Sequence, residues 1–175
     1  MRKNLTILIM ILVTYFLQMT LQAVMPAQYA IPDLLLILTC SMGLMRGRRA
    51  GMITGFLCGI LYDLFLGPVF GLTALCFVYA GYFNGSLFKV FFDDDIRIPI
   101  AAIGISEFVY RMILLIAAVL THRQVSFGVY MTGTVLPSVI CSVICSIPLY
   151  YLYRAINRSI AVYEEEAEQS PWLRR

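Results

Sequence analysis

From Leu5 to Tyr153 the chain is filled by apolar segments, broken only by short clusters of proline, glycine or charge. A bilayer core about 30 Å thick needs about 20 apolar residues for each crossing helix. Segments of that kind, laid end to end, leave no room for a soluble domain. The composition agrees: 61% of the 175 residues are hydrophobic and 13% charged, against about 45 to 50% apolar and about 25% charged in soluble domains. The sequence predicts an all-α integral membrane protein, with a single transmembrane domain over residues 1–153 and a short tail over 154–175.

Pro, Gly and charge clusters divide the domain into six expected helices, at about 4–24, 31–46, 50–66, 69–91, 98–120 and 129–153. The second is short for a full crossing and calls for a small tilt, an extension into the headgroups or a thinned bilayer. Arg2, Lys3, Arg46, Arg48, Arg49, Lys89, Arg97, Arg154, Arg158, Arg174 and Arg175 fall on one side of this arrangement. Arg123 falls on the other, and Arg111 lies within a helix. The positive-inside bias puts both termini in the cytoplasm. A net charge of +3 therefore reports loop placement and implies no nucleic acid.

The basic start and apolar stretch MRKNLTILIMILVTYFLQ also fit a signal peptide, but the apolar run extends to about Val24 and no small-x-small site follows. A retained first helix is expected. Five cysteines, Cys40, Cys58, Cys76, Cys141 and Cys145, lie inside apolar segments as small packing residues, with no disulfide framework or CxxC site. Asp93, Asp94 and Asp95 precede the fifth helix and its Pro99, where acids complement the helix dipole; a docking patch for a basic partner is the alternative. The tail YEEEAEQSPWLRR reads as a solvated end, with Trp172 at the interface.

In RRAGMITGFLCGILYDLFLGPVFG a glycine returns at every fourth position, Gly51, Gly55, Gly59, Gly67 and Gly71, with Asp63 in the intervening place. Helices associate in lipid through close backbone approach and hydrogen bonds, so small residues four apart mark packing faces. Ser138, Ser142 and Ser146 beside Cys141 and Cys145 form a related row, with Pro137 and Pro148 expected to bend that helix. Each row is either an internal packing face or a docking face for another membrane protein.

Asp63, Glu107 and Arg111 fall well inside expected spans, where a charge costs several kcal/mol unless paired or hydrated. Asp63 lies thirteen residues after Ala50, and Arg111 thirteen after Ile98. Both come at a depth of about 20 Å. A direct Asp63–Arg111 pair is expected if those helices touch. Glu107, four residues before Arg111, shares its face, and one base for two acids leaves room for one protonated carboxyl. The cluster reads as a polar lock on helix register, a ligand or proton site, or a contact to a partner. Asp33, after Pro32, reads as a helix N-terminal acid.

Signs of catalysis are few. EFVYR places Glu107 and Arg111 in an ExxxR pattern similar to that of CAAX-type intramembrane glutamic proteases, but Ser106 stands where those have a first Glu, and His122 is the only histidine. No enzyme, metal or cofactor is expected.

The order PDLLLILTCSMGLMRG, GMITGFLCGILYDLFLGPVFGLTAL and YAGYFNG resembles the bacterial MreD family. The matching positions are Pro32, Asp33, Gly51, Gly55, Gly59, Asp63, Gly67, Gly71, Gly81, Tyr82 and Gly85. The resemblance implies a scaffold or regulator of lateral peptidoglycan synthesis in the cell-elongation complex. Its partners would be MreC first, then MreB, RodZ, RodA and a class B penicillin-binding protein. It implies no catalytic role for the matched residues. It also implies a fold similar to the substrate-binding subunits of energy-coupling-factor transporters. A vitamin-binding subunit of that kind is the alternative function, for which the outer segments offer Gln28, Arg123 and Gln124 as polar groups.

Overall fold

The computed structural model describes residues 2–24, 31–65, 70–88, 97–120 and 127–169. They form α1 (Arg2–Val24), α2 (Leu34–Arg46), α3 (Arg48–Phe65), α4 (Leu72–Leu87), α5 (Arg97–Leu120), α6 (Phe127–Tyr130) and α7 (Leu136–Gln169), with a π-helical turn, Met131–Val135, between the last two. The described residues are helical almost throughout, and α6, the turn and α7 follow one another without a break. The expected boundaries hold to a few residues except at the end. There α7 runs on to Gln169, so much of the expected tail is helix.

Three of these helices are long and apolar enough to cross a membrane alone: Thr6–Val24 of α1, α5, and Met131–Arg158 of the last run. The other three are shorter, with 13 residues in α2, 18 in α3 and 16 in α4. At about 1.5 Å per residue, α2 rises only about 20 Å. Its environment explains how it persists. Every residue from Leu34 to Gly43 is buried, and α2 packs on α1, α3, α4, α5 and α7. A helix apolar all round belongs inside protein. The surrounding helices carry the exposed apolar side chains instead, such as Phe16, Phe56, Phe83, Val109 and Ile144.

Two local features shape the path. Gly47 alone joins α2 to α3, with φ of 86°, in the left-handed region open to glycine without a Cβ clash. Pro137 accounts for the π-turn: it has no N–H, and its ring would strike the carbonyl of Gly133 in an α-helix. The Leu136 N–H instead reaches back five residues to the Met131 carbonyl.

Side-chain contacts fix how the helices run past each other. Gln18 of α1, Asp33 before α2, Arg111 of α5 and Ser142 of α7 meet at one level. Toward the opposite end Thr14 shares a hydrogen bond of 3.1 Å with Tyr153, and Arg46 Nε donates to Asn157 Oδ1. Between these levels Asn84 Nδ2 of α4 donates to Ser106 Oγ of α5 at 2.8 Å and to Cys40 Sγ of α2 at 3.3 Å.

Candidate functional site

The polar centre is assembled around the Arg111 guanidinium. Nη2 lies 2.7 Å from Oδ2 of Asp33 and donates to the Ile31 carbonyl at 3.0 Å. Nε donates to Oε1 of Glu107 at 3.0 Å. All three side chains are withdrawn from the surface, with exposures of 13% for Arg111, 3% for Asp33 and 0% for Glu107. A planar fork of donors suits this arrangement, because it serves two carboxylates and a carbonyl at once.

Asp33 occupies the N-cap place of α2 but makes no side-chain cap bond. The cap comes from another helix. Gln18 Oε1 of α1 accepts from the Leu34 N–H at 2.9 Å, and its Nε2 donates to Asp33 Oδ1 at 3.5 Å. The Asp33 N–H donates to Ser142 Oγ of α7 at 3.3 Å. The start of α2 is thus held by α1, α5 and α7 together. Glu107 Oε2 and the Tyr110 hydroxyl are buried without a hydrogen-bond partner among the described residues.

The expected Asp63–Arg111 pair is replaced by two separate contacts. Asp63 Oδ2 accepts the N–H groups of Gly71 at 2.9 Å and Ala74 at 3.0 Å, so it caps α4 from the last turn of α3. Depth matching ignored the angular position of the helices. α2 packs on both α3 and α5 and brings Asp33, not Asp63, to the guanidinium. Asp33 stands at the N-terminus of α2 as expected, and its carboxylate serves Arg111 in addition.

The glycine row is an internal seam. A Cβ on Gly51 would strike the Gly81 carbonyl and lie 2.9 Å from Gly43 Cα; on Gly55 it would lie 2.7 Å from the Phe77 carbonyl carbon. On Gly59 it would lie 2.9 Å from the Ala74 nitrogen, and on Gly85 2.5 Å from Arg48 Cα. α4 and, at Gly43, α2 therefore occupy the face that could have met a partner. Gly71 differs: nothing lies within 4 Å of its added Cβ, but its φ is 90°. It serves the turn before α4, not the seam.

Pro32 is buried beside Asp33, and Tyr82, 38% exposed, has the Arg48 guanidinium 5.3 Å over its ring. Ser138, Ser142 and Ser146 are all buried, so the serine row is internal too. Gly67, Gln28, the Asp93 to Asp95 run, His122, Arg123, Gln124 and Trp172 lie outside the described residues. Sequence reasoning passed over Gln18, Gly43 and Asn84. Gln18 and Asn84 carried the same signal as Arg111, a polar side chain within an apolar run.

A helical bundle with long apolar helices, an apolar exterior and polar side chains turned inward is a membrane protein. The family model for rod shape-determining protein MreD matches residues 1–159. The chain belongs to the MreD family, which gives it a role in rod shape determination. No curated protein and no solved structure matches it.

Proposed function

We propose that the protein is a non-enzymatic scaffold or regulator of the bacterial cell-elongation complex, working by helix-to-helix contact with MreC and supporting lateral peptidoglycan synthesis. MreB, RodZ, RodA and a class B penicillin-binding protein are the further members of that assembly. It resides in the inner membrane as a multi-pass protein, and the arginines at 46, 48, 49, 154 and 158 favour cytoplasmic termini under the positive-inside rule. Its architecture is related in this reading to the substrate-binding subunits of energy-coupling-factor transporters, a likeness of fold and not of task.

The observation that carries the scaffold reading is the use made of the buried polar groups. Gln18, Asp33, Asp63, Asn84 and Arg111 each tie one helix or its flanking turn to another within the chain. Such ties hold a fixed exterior, and fixed apolar surfaces are what neighbouring membrane helices pack on. The test is affinity purification of the tagged protein from native membranes in mild detergent, with mass spectrometry of proteins and small molecules. Enrichment of MreC and wall-synthesis enzymes is the expected result. Recovery of transporter ATPases with a bound vitamin would overturn the reading.

A further inference from the structure

An open groove of about 610 Å³ runs along the outside of the bundle between α5 and α7. Ala101, Gly104 and Phe108 contribute from α5, and Val139 and Val143 from α7, while Arg97 stands at one end. The trough exists because Ala101 and Gly104 are small. At Gly104 the two helices touch, since an added Cβ would lie 2.9 Å from Val143 Cγ2. Apart from Arg97 every named lining residue is apolar. Arg97 is exposed and forms no ion pair with another described residue.

Two observations identify the occupant. The first is length: Arg97 to Phe108 spans eleven residues, about 16 Å of helix, which is close to half of a hydrocarbon core about 30 Å thick. The groove is one leaflet deep. Past Phe108 the exposed side chains Ile116, Val119 and Leu120 stand out from α5, beyond the reach of the trough. The second is charge: among the described lining residues Arg97 is the cation, and it marks the end at which a headgroup would lie. Asp33 meets Arg111 near the start of α2, so Arg97, fourteen residues before Arg111 on α5, is toward the Arg46 end of the bundle.

We propose that this groove is a binding site for an anionic phospholipid, with acyl chain along Ala101, Gly104 and Val143 and phosphate at Arg97. A lipid tail gains little by leaving other tails for an apolar groove, because both surroundings are equally apolar. Selectivity therefore rests on the headgroup. One basic side chain at an anionic surface corresponds to about a fivefold preference.

The test is native mass spectrometry of the detergent-purified protein titrated with phosphatidylglycerol or phosphatidylcholine. Wild type is expected to favour phosphatidylglycerol about fivefold. Arg97→Gln should bring the two lipids level. Ala101→Leu, which fills the trough from an exposed position away from the Gly104–Val143 contact, should weaken both; helical circular dichroism and monodispersity check that each variant is folded. Equal binding of the two lipids by wild type, or unchanged binding in folded variants, would overturn the proposal. Loss of a co-purifying membrane protein from Ala101→Leu with lipid binding intact would do so too, and would assign the groove to a partner's helix.

Discussion

Arg111 Nη2 lies 2.7 Å from Asp33 Oδ2 while Arg111 Nε holds Glu107, so a single guanidinium closes α5 onto the start of α2. Removing it leaves two buried acids without their base. Arg111→Met is expected to destabilise the bundle by about 3 to 5 kcal/mol, the usual cost of breaking a buried pair from one side. Arg111→Lys should recover only part of this, since an ammonium is a point charge without the fork. Thermal unfolding in detergent measures both. An Arg111→Met protein as stable as wild type would refute the lock.

Asp63 gives a separable outcome. Because its carboxylate caps α4, Asp63→Ala is expected to cost about 0.5 to 2 kcal/mol, and Asp63→Asn, which keeps one acceptor oxygen, less. The loss should add to that of Arg111→Met, as it does for sites with no shared partner. A strongly non-additive double variant would return Asp63 to the Arg111 cluster.

The glycines divide by mechanism. Gly51→Ala places a methyl group against the Gly81 backbone, and neither helix can yield without parting the seam; overpacking of this kind costs about 1 to 3 kcal/mol, and a leucine there more. Gly71→Ala meets no neighbour and should cost about 1 to 2 kcal/mol through its left-handed backbone alone. Gly71→Asn discriminates between the two, because asparagine tolerates that conformation. It should recover much of the loss at residue 71, whereas Gly51→Asn should be worse than Gly51→Ala.

Gln18→Leu preserves apolar character on α1 but strips the Leu34 N–H of its acceptor. A buried donor left without a partner costs about 1 to 3 kcal/mol. Gln18→Glu should be milder at this N–H, since a carboxylate oxygen still accepts, although it adds a further acid beside Asp33. Hydrogen exchange at the start of α2 reports the difference directly, and unchanged protection in Gln18→Leu would remove Gln18 from the cap.

Much of this architecture was legible in the sequence, and the parts that were not share a cause. Apolar runs and their breaks located the helices, and the four-residue glycine period identified a packing face on α3. Periodicity names a face without naming the neighbour, so only the structure assigns Gly51 to Gly81 and turns the seam inward. The same gap misdirected Asp63: matching depth on two helices says nothing of the helix standing between them. Asp33 looked peripheral because it precedes its helix, yet the interhelix cap from Gln18 frees its carboxylate for Arg111. The run from Arg154 to Gln169 reads as a polar tail because charges crowd it, although Ile156, Ile160 and Tyr163 recur at helical spacing and α7 continues through it.

The burial of α2 has a consequence for how the protein is made. A segment of 13 residues, too short to span the hydrocarbon and preceded by an acid, is a poor passenger for release into lipid on its own. Its single-glycine joint at Gly47 delivers it together with α3, while its cap waits on α1 and its counter-ion, Arg111, emerges from the ribosome almost eighty residues later. Biogenesis must therefore shelter α2 until α5 arrives, and a chain interrupted before Arg111 would present quality-control proteases with an unneutralised acid in the bilayer.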